Sequence, residues 1–266
     1  MAVALLLAAG TLWFLAQRPS HDRDWLPEQA VLPYAAIDGK RVTLHHIRNF
    51  TFHARNEFSA DYYDRTFDLD DIRRAYFIVE PFAGEKVGAH TMLSFEFEGD
   101  QFMVLSVEAR RPVGVGYSAW KGALRQYELM YVLADERDVL RLRANLRGNP
   151  VFLYPLAAGP ELLRSLFVSI VRRANELREQ PAFYNTLTDN CATTLVRHMN
   201  EVSDQWIGWS QPLLFTEKSD ELAWRLGLLD VGEADDFETI RDRHRINALA
   251  LEHEHDPDFS LRIRGR

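Results

Sequence analysis

A chain of 266 residues with 47% hydrophobic and 26% charged residues has the make-up of a folded globular protein, which excludes wholesale disorder. Its net charge of -8 argues against a nucleic-acid binder, because such a protein presents a basic face. The single cysteine, Cys191, excludes an intrachain disulfide framework and an all-cysteine zinc site.

Residues 1–17 contain no charged side chain. As a helix they would extend about 26 Å, at the short end of what crosses a bilayer, and we predict a transmembrane anchor here. A cleaved signal peptide is the competing interpretation, although no Lys or Arg precedes the apolar run. A buried core helix is the third. Residues 18–34 are polar and contain three prolines, which predicts a juxtamembrane linker, and residues 35–266 form the remaining domain.

The first part of this domain predicts strands at residues 42–52 and 75–82, because both are rich in β-forming residues. Between them, residues 69–74 predict a short helix. Six aromatic residues precede this helix, and we expect them in the core: Phe50, Phe52, Phe58, Tyr62, Tyr63 and Phe67.

Residues 90–98 and 102–110 alternate with period two across residues 99–101, which predicts a hairpin with a three-residue loop. In that register, the residue numbers of two positions that face each other across the hairpin add up to 200. One face is then apolar: Leu93, Phe95, Phe97, Met103, Leu105 and Val107. The other carries the polar residues and one methionine: His90, Met92, Ser94, Glu96, Ser106, Glu108 and Arg110. Glu108 lies diagonally across from His90, within reach of a long side chain.

Four further elements are predicted in the second half of the chain. Residues 127–134 and 139–143 are each a strand or a short helix, and residues 151–156 are a strand. Residues 160–179 form an amphipathic helix with proline in its first turn. A short helix is expected near residues 221–226.

Cys191 follows three residues that favour a helix N-cap, Thr188, Asp189 and Asn190, and precedes an apolar-periodic run. We therefore predict that Cys191 lies in the first turn of a helix. Unpaired N–H groups and the helix dipole there stabilise a thiolate. The alternative is a buried structural cysteine, since free cysteine is among the most buried residue types.

A reactive thiolate needs a base, and the chain offers nine histidines. His198 lies seven residues along the same helix, about 10 Å away, which is too far for a dyad. His90, on a strand face with a carboxylate able to fix its tautomer, is the best placed. The alternative is a half-exposed strand histidine without a special role.

The order of a histidine strand followed by a cysteine helix resembles the Lnb-type family of lipoprotein N-acyltransferases, formerly a domain of unknown function. The resemblance covers roughly residue 18 to the C-terminus and is carried by several separated blocks: Asp22-Arg23-Asp24-Trp25, Ile47-Arg48-Asn49-Phe50, His90-Thr91-Met92-Leu93-Ser94-Phe95-Glu96-Phe97, Ser106-Val107-Glu108-Ala109-Arg110-Arg111, Asp135-Glu136-Arg137-Asp138 and Tyr184-Asn185-x-Leu187-Thr188-x-Asn190-Cys191. The chain is more distantly similar to the circularly permuted NlpC-type group of papain-like enzymes.

The resemblance implies an α+β fold, a permuted papain-like catalytic domain at residues 35–266 whose antiparallel sheet packs on the cysteine helix. It makes Cys191 the nucleophile and His90 the base. Glu108 is expected to orient His90, with Ser106 behind it; Asn190 and Glu96 are further candidates.

The implied reaction moves a fatty acyl group from a phospholipid, through a Cys191 thioester, to the N-terminal amine of a lipoprotein. The chain would then face the periplasm from the bacterial inner membrane, and neither a metal nor an organic cofactor is implied. Two alternatives remain: a membrane-anchored cysteine peptidase or amidase of the cell envelope, and a non-catalytic envelope scaffold. An apolar groove near Cys191 favours transfer, and an open polar cleft favours hydrolysis.

Overall fold

A computed structural model describes residues 1–82, 88–208, 216–232 and 236–266. Within them the chain forms ten strands: β1 Tyr34–Asp38, β2 Arg41–Arg48, β3 Thr51–Ala54, β4 Glu57–Ser59, β5 Tyr62–Asp68, β6 Ile72–Pro81, β7 Ala89–Phe97, β8 Gln101–Arg110, β9 Glu128–Asp135 and β10 Phe152–Pro155. The same ranges hold nine α-helices: α1 Ala2–Ala16, α2 Ala119–Ala123, α3 Glu136–Arg141, α4 Pro160–Glu179, α5 Cys191–Val202, α6 Ser219–Arg225, α7 Phe237–Arg243, α8 Asn247–Glu252 and α9 Phe259–Arg262.

The main sheet has eight strands in the order β1-β2-β9-β8-β7-β6-β10, with β5 also paired to β2. All its pairings are antiparallel except one, a parallel bridge between Arg48 and Ala134. The α+β class is therefore confirmed. The prediction of an antiparallel sheet holds for every pairing except this one parallel bridge. The strand that carries His90, β7, lies in the interior of this sheet.

The β7–β8 hairpin differs from the predicted register, because each residue faces a partner two positions earlier in the chain than predicted. Its facing residues sum to 198, as in Leu93 with Leu105, so that the loop is residues 98–100. Gly99 and Asp100 both have positive φ, which these two residue types tolerate. Because the shift preserves parity, the predicted apolar face is intact and lies in one core cluster.

Both faces of the sheet are covered. Helices α4 and α5 pack on the apolar hairpin face, while α3, α8 and α9 pack on the other. All nine residues of β7 are buried. The alternative of a half-exposed strand histidine is therefore wrong, because His90 is buried with the rest of β7. The polar side chains of this face find hydrogen-bond partners inside the protein, as in the hydrogen bond from Ser94 to Glu136 of α3.

Most other elements match their predictions, and the differences are local. Helix α4 has the predicted bounds, and β6, β9, β10 and α6 lie where strands or helices were expected. The predicted helix at residues 69–74 is wrong, because only Leu69–Asp71 turn, as a 3-10 helix, before β6 begins. The aromatic run is a core element: Phe50, Phe52 and Phe67 are buried, and Phe58 and Tyr62 pack beside the first two.

The predicted anchor forms α1, a helix of 15 residues. Among the helices of the described ranges, none has both the length and the hydropathy needed to cross a bilayer.

Candidate active site

Helix α5 begins at Cys191 because Asn190 caps it. The Oδ1 atom of Asn190 accepts a hydrogen bond of 2.8 Å from the Thr193 N–H, and Thr193 Oγ1 accepts one of 3.0 Å from the Asn190 N–H. The prediction that Cys191 lies in the first turn is confirmed. The first N–H groups of a helix have no intrahelical acceptor, so those of Cys191 and Ala192 can stabilise negative charge beside the thiol.

The Cys191 thiol is buried and hydrogen-bonds to His90 and to the backbone N–H of Thr91. Its Sγ atom lies 3.9 Å from the carbonyl oxygen of Ala89. Ala89 is itself fixed by Thr216, whose Oγ1 accepts a hydrogen bond of 2.7 Å from the Ala89 N–H. The start of β7 and the start of α5 are thus held against each other.

On its other side, His90 contacts Ser106 and Glu108. The Nε2 atom lies 2.6 Å from Ser106 Oγ and 3.1 Å from Glu108 Oε1. Ser106 Oγ donates its proton to Glu108 Oε1 at 2.7 Å, and it must therefore accept from His90. This arrangement keeps Nε2 protonated and leaves Nδ1 as the nitrogen available to the thiol.

The electrostatics of this group favour a thiolate–imidazolium pair. Burial alone lowers the pKa of His90, but the Glu108 charge and the hydrogen bonds to Cys191 and Glu108 outweigh it and raise that pKa to about 10. Burial raises the pKa of Cys191, yet the hydrogen bond and charge of His90 bring it below the ordinary thiol value. The pKa of Glu108 is far below its usual range despite burial, because His90 and Arg143 stand beside it.

Glu108 also has a partner that sequence reasoning missed. Arg143 Nη2 lies 3.3 Å from Glu108 Oε1, and Arg143 Nε lies 2.7 Å from Oε2 of Glu80. Glu80 is the β6 residue paired with His90, and its Oε1 accepts from Asn149 at 2.7 Å. Arg143 lies on Leu142–Leu146, a π-helical turn of the kind that often occurs at functional sites. Because this turn is irregular, the sequence around Arg143 shows no apolar periodicity from which its position could be predicted.

An apolar cavity of about 130 Å³ lies along the helix that begins with Cys191. Four residues of α5 line it, Ala192, Leu195, Val196 and Met199, and β7 contributes Leu93. Leu195 belongs to the same core cluster as Cys191. Cys191 itself does not line the cavity, but its neighbour Ala192 does, so this apolar space lies beside the first turn of the cysteine helix.

The structure brings together Cys191, His90, Ser106 and Glu108 but not the other candidates. Glu96 is six residues from His90 on β7, about 20 Å away, where it bonds Tyr76 and Arg266. Asn190 acts as the helix cap. His198 bonds Tyr131 at 2.6 Å and Ser169 at 2.7 Å, in keeping with its exclusion from the dyad. In the described ranges, no three His, Cys, Asp or Glu side chains are grouped as metal ligands would be.

Comparison with known proteins identifies a family. The family model described as the Lnb N-terminal periplasmic domain matches residues 58–219, more than half of the chain and a range that contains His90, Glu108 and Cys191. No curated protein and no solved structure matches. The relation to papain-like folds therefore stays a prediction. The chain belongs to the Lnb family, and the matched region is a periplasmic domain of an Lnb-type protein.

Proposed function

We propose that the protein is a thiol-dependent N-acyltransferase that moves a fatty acyl group from a phospholipid to the N-terminal amine of a lipoprotein. Membership of the Lnb family supports the lipoprotein acceptor. The observation that carries the proposal is the hydrogen-bonded group of Cys191, His90, Ser106 and Glu108 beside an apolar cavity. The reaction takes place at the periplasmic face of the bacterial inner membrane.

In the first half-reaction, the Cys191 thiolate attacks the carbonyl carbon of the phospholipid ester and a C–S bond forms. The N–H groups at the start of α5 stabilise the oxyanion that develops. When the ester C–O bond breaks, the imidazolium of His90 gives its proton to the leaving alkoxide. The lysophospholipid departs, and the acyl group remains on Cys191 as a thioester.

In the second half-reaction, the α-amine of the lipoprotein attacks the thioester carbonyl. His90, now neutral, takes the proton that the amine loses. The C–S bond breaks, an amide forms, and the thiolate–imidazolium pair returns. Glu108 stabilises the charge on His90 in the resting and final states, and Ser106 links the two side chains.

The apolar cavity favours transfer over hydrolysis of a cell-wall peptide. A cavity of about 150 Å³ holds a molecule the size of benzene, so the 130 Å³ beside α5 suits the first carbons of an acyl chain rather than a polar peptide. An acyl segment there also limits the approach of water to the thioester while it waits for an amine.

The test is a covalent intermediate. Wild-type protein given phospholipid alone should gain the mass of one fatty acyl group at Cys191, removable by neutral hydroxylamine. Cys191→Ser should gain none, or an ester that resists hydroxylamine. A diacylglyceryl peptide with a free α-amine should then discharge the label onto that amine.

Two outcomes contradict the proposal. Release of free fatty acid at one rate with and without peptide identifies a hydrolase. Absence of any covalent adduct from lipid, together with cleavage of a cell-wall peptide that Cys191→Ala abolishes, identifies an envelope peptidase or amidase.

A further inference from the structure

Five large apolar side chains are exposed on two segments next to each other. They are Val113, Tyr117, Trp120, Leu124 and Leu187, and together we call them the apolar rim. Trp120, on α2, is 80% exposed. The two segments touch: Thr186 Oγ1 donates a hydrogen bond of 2.8 Å to the Ala119 carbonyl, and Tyr184 packs against Gly122, where a side chain would not fit. The rim is therefore one continuous surface.

The rim borders Cys191. Leu187 is four residues before the thiol, and Tyr117 hydrogen-bonds to Tyr184. Burial raises the pKa of Tyr184, and the nearby Cys191 charge raises it further, as it also does for Tyr117. Whatever covers the rim therefore lies close to the candidate active site.

The chain around the rim is basic. Residues 109–127 contain four cations and no acidic residue, in a protein whose net charge is -8. Arg110 is buried, which leaves Arg111, Lys121 and Arg125 as the cations of the surface. Lys121 and Arg125 flank Trp120 and Leu124 directly. A basic border around exposed aromatic side chains is complementary to an anionic surface with an apolar interior.

The uncharged helix α1 continues this surface. The Arg125 guanidinium lies 4.3 Å from the centre of the Phe14 ring and 5.7 Å from that of Phe183. Several apolar side chains of α1 are exposed, Trp13 by 53%. Arg125 thus joins α1 to the rim, and tryptophan stands on both sides of the junction, as is typical of side chains at a bilayer interface.

We propose that the apolar rim and α1 form one docking surface for a lipid bilayer with anionic headgroups. Trp120 and Leu124 enter the headgroup layer, and Lys121 and Arg125 contact the lipid phosphates. Tyr117, which is half exposed and contacts the buried Tyr184, then lies at the membrane surface next to the candidate site. A phospholipid could enter without leaving the bilayer, a last step that rests on the proposed function, whereas the docking surface itself does not.

The test exploits the single cysteine. In a Cys191→Ala background, Trp120→Cys, Leu124→Cys and Leu251→Cys each give the full chain one thiol for an environment-sensitive fluorophore. Leu251 is the control, since it is 65% exposed but lies on α8, which packs on the opposite face of the sheet. Vesicles of phosphatidylglycerol and phosphatidylethanolamine carry a lipid spin label near the headgroup. We expect quenching at positions 120 and 124 and none at 251.

Quenching at all three positions, or at none, overturns the proposal. The proposal is also overturned if quenching at position 120 requires an added acceptor peptide. That result would identify the rim as a surface that binds a protein. No acyl transfer enters this readout, so its outcome is independent of the proposed function. In the otherwise natural chain, Trp120→Ser should lower acyl transfer from vesicles about tenfold, the effect of one large apolar side chain on partitioning. Transfer from detergent micelles should stay unchanged, and Leu251→Ser should alter neither; an equal loss in both media contradicts the docking surface.

Discussion

The Oγ atom of Ser106 lies 2.6 Å from Nε2 of His90, closer than the carboxylate of Glu108 at 3.1 Å. The serine also donates to that carboxylate at 2.7 Å. His90 is therefore held by two acceptors that are themselves bonded to each other. Glu108 provides the charge and Ser106 the shorter contact, so mutation of each residue can separate their effects on His90.

Replacing Glu108 with glutamine should shift the basic limb of the pH–rate profile to lower pH. The pKa of His90 is raised to about 10, above its unfolded value near 6.5, so the stability that its proton provides is complete below about 6.5 and is lost as pH rises through about 10. Its function as an acid depends on the folded state alone and is lost only as pH rises through about 10. The Glu108 charge is a principal cause of that rise. We expect turnover of Glu108→Gln to fall roughly a hundredfold. Glu201→Gln, on α5, is the control; an unshifted limb in Glu108→Gln would reject the role of this carboxylate.

Replacing Ser106 with alanine should have a smaller effect. Glu108 Oε1 remains within 3.1 Å of His90, so the charge that raises its pKa persists. Losing one hydrogen bond costs about 1 kcal/mol, which is less than tenfold in rate. Ser94→Ala removes another buried serine of the same sheet, bonded to Glu136, and controls for stability. A loss in Ser106→Ala as large as that in Glu108→Gln would show that the proton passes through the serine.

Sequence patterns anticipated the pair of elements that carry the site, because each has a local signal. A period-two pattern fixed the faces of β7 and β8 even though each residue faces a partner two positions from the predicted one, since a shift by two residues moves no side chain to the other face. The cap residues before Cys191 located the start of α5. The buried charges behind the site have no such signal: Glu80 and Arg143 come from a strand and a π-helical turn that only tertiary packing brings together.

Arg143 should be a stability element as well as a positioning residue. Its guanidinium, like the Glu80 carboxylate beside it, is buried. Arg143→Gln leaves that carboxylate with only the more distant Arg147, 3.9 Å away, as a cation. The loss of the close partner should lower the free energy of unfolding by about 3 kcal/mol. The double variant Glu80→Gln/Arg143→Gln removes both charges and should recover part of the loss in a denaturant titration. A double variant no more stable than Arg143→Gln would mean that the charge pair is not the cause.

His198 should affect acid stability and not catalysis. Burial, together with the charges of Arg197 and Arg173, lowers its pKa to about 4. Because the unfolded chain binds this proton near pH 6.5, the folded state loses stability as pH falls from about 6.5 towards 4. His198→Gln has no such group and should keep the stability that wild type loses. Its free energy of unfolding relative to wild type should therefore rise by about 2 kcal/mol when the pH is lowered from 7 to 5. Acyl transfer at pH 8 should be near the wild-type rate; a loss like that of His90→Ala would place His198 in the reaction.

The cap at Asn190 should matter for catalysis beyond its contribution to stability. Its side chain accepts from the Thr193 N–H at 2.8 Å and donates to the Thr186 carbonyl at 2.9 Å, which together set the position of Cys191 and of the free N–H groups next to it.

Asp236 caps α7 in the same way, accepting from the Thr239 N–H at 2.8 Å, but outside the candidate site. Asn190→Ala and Asp236→Ala should each cost about 1 kcal/mol of stability, the usual effect of removing an N-cap. Only Asn190→Ala should also slow formation of the Cys191 thioester, by about tenfold or more, because a small displacement of the nucleophile and its oxyanion donors is costly in rate. Thermal melts matched against single-turnover acylation would separate the two effects, and equal acylation rates in the two variants would reduce Asn190 to an ordinary helix cap.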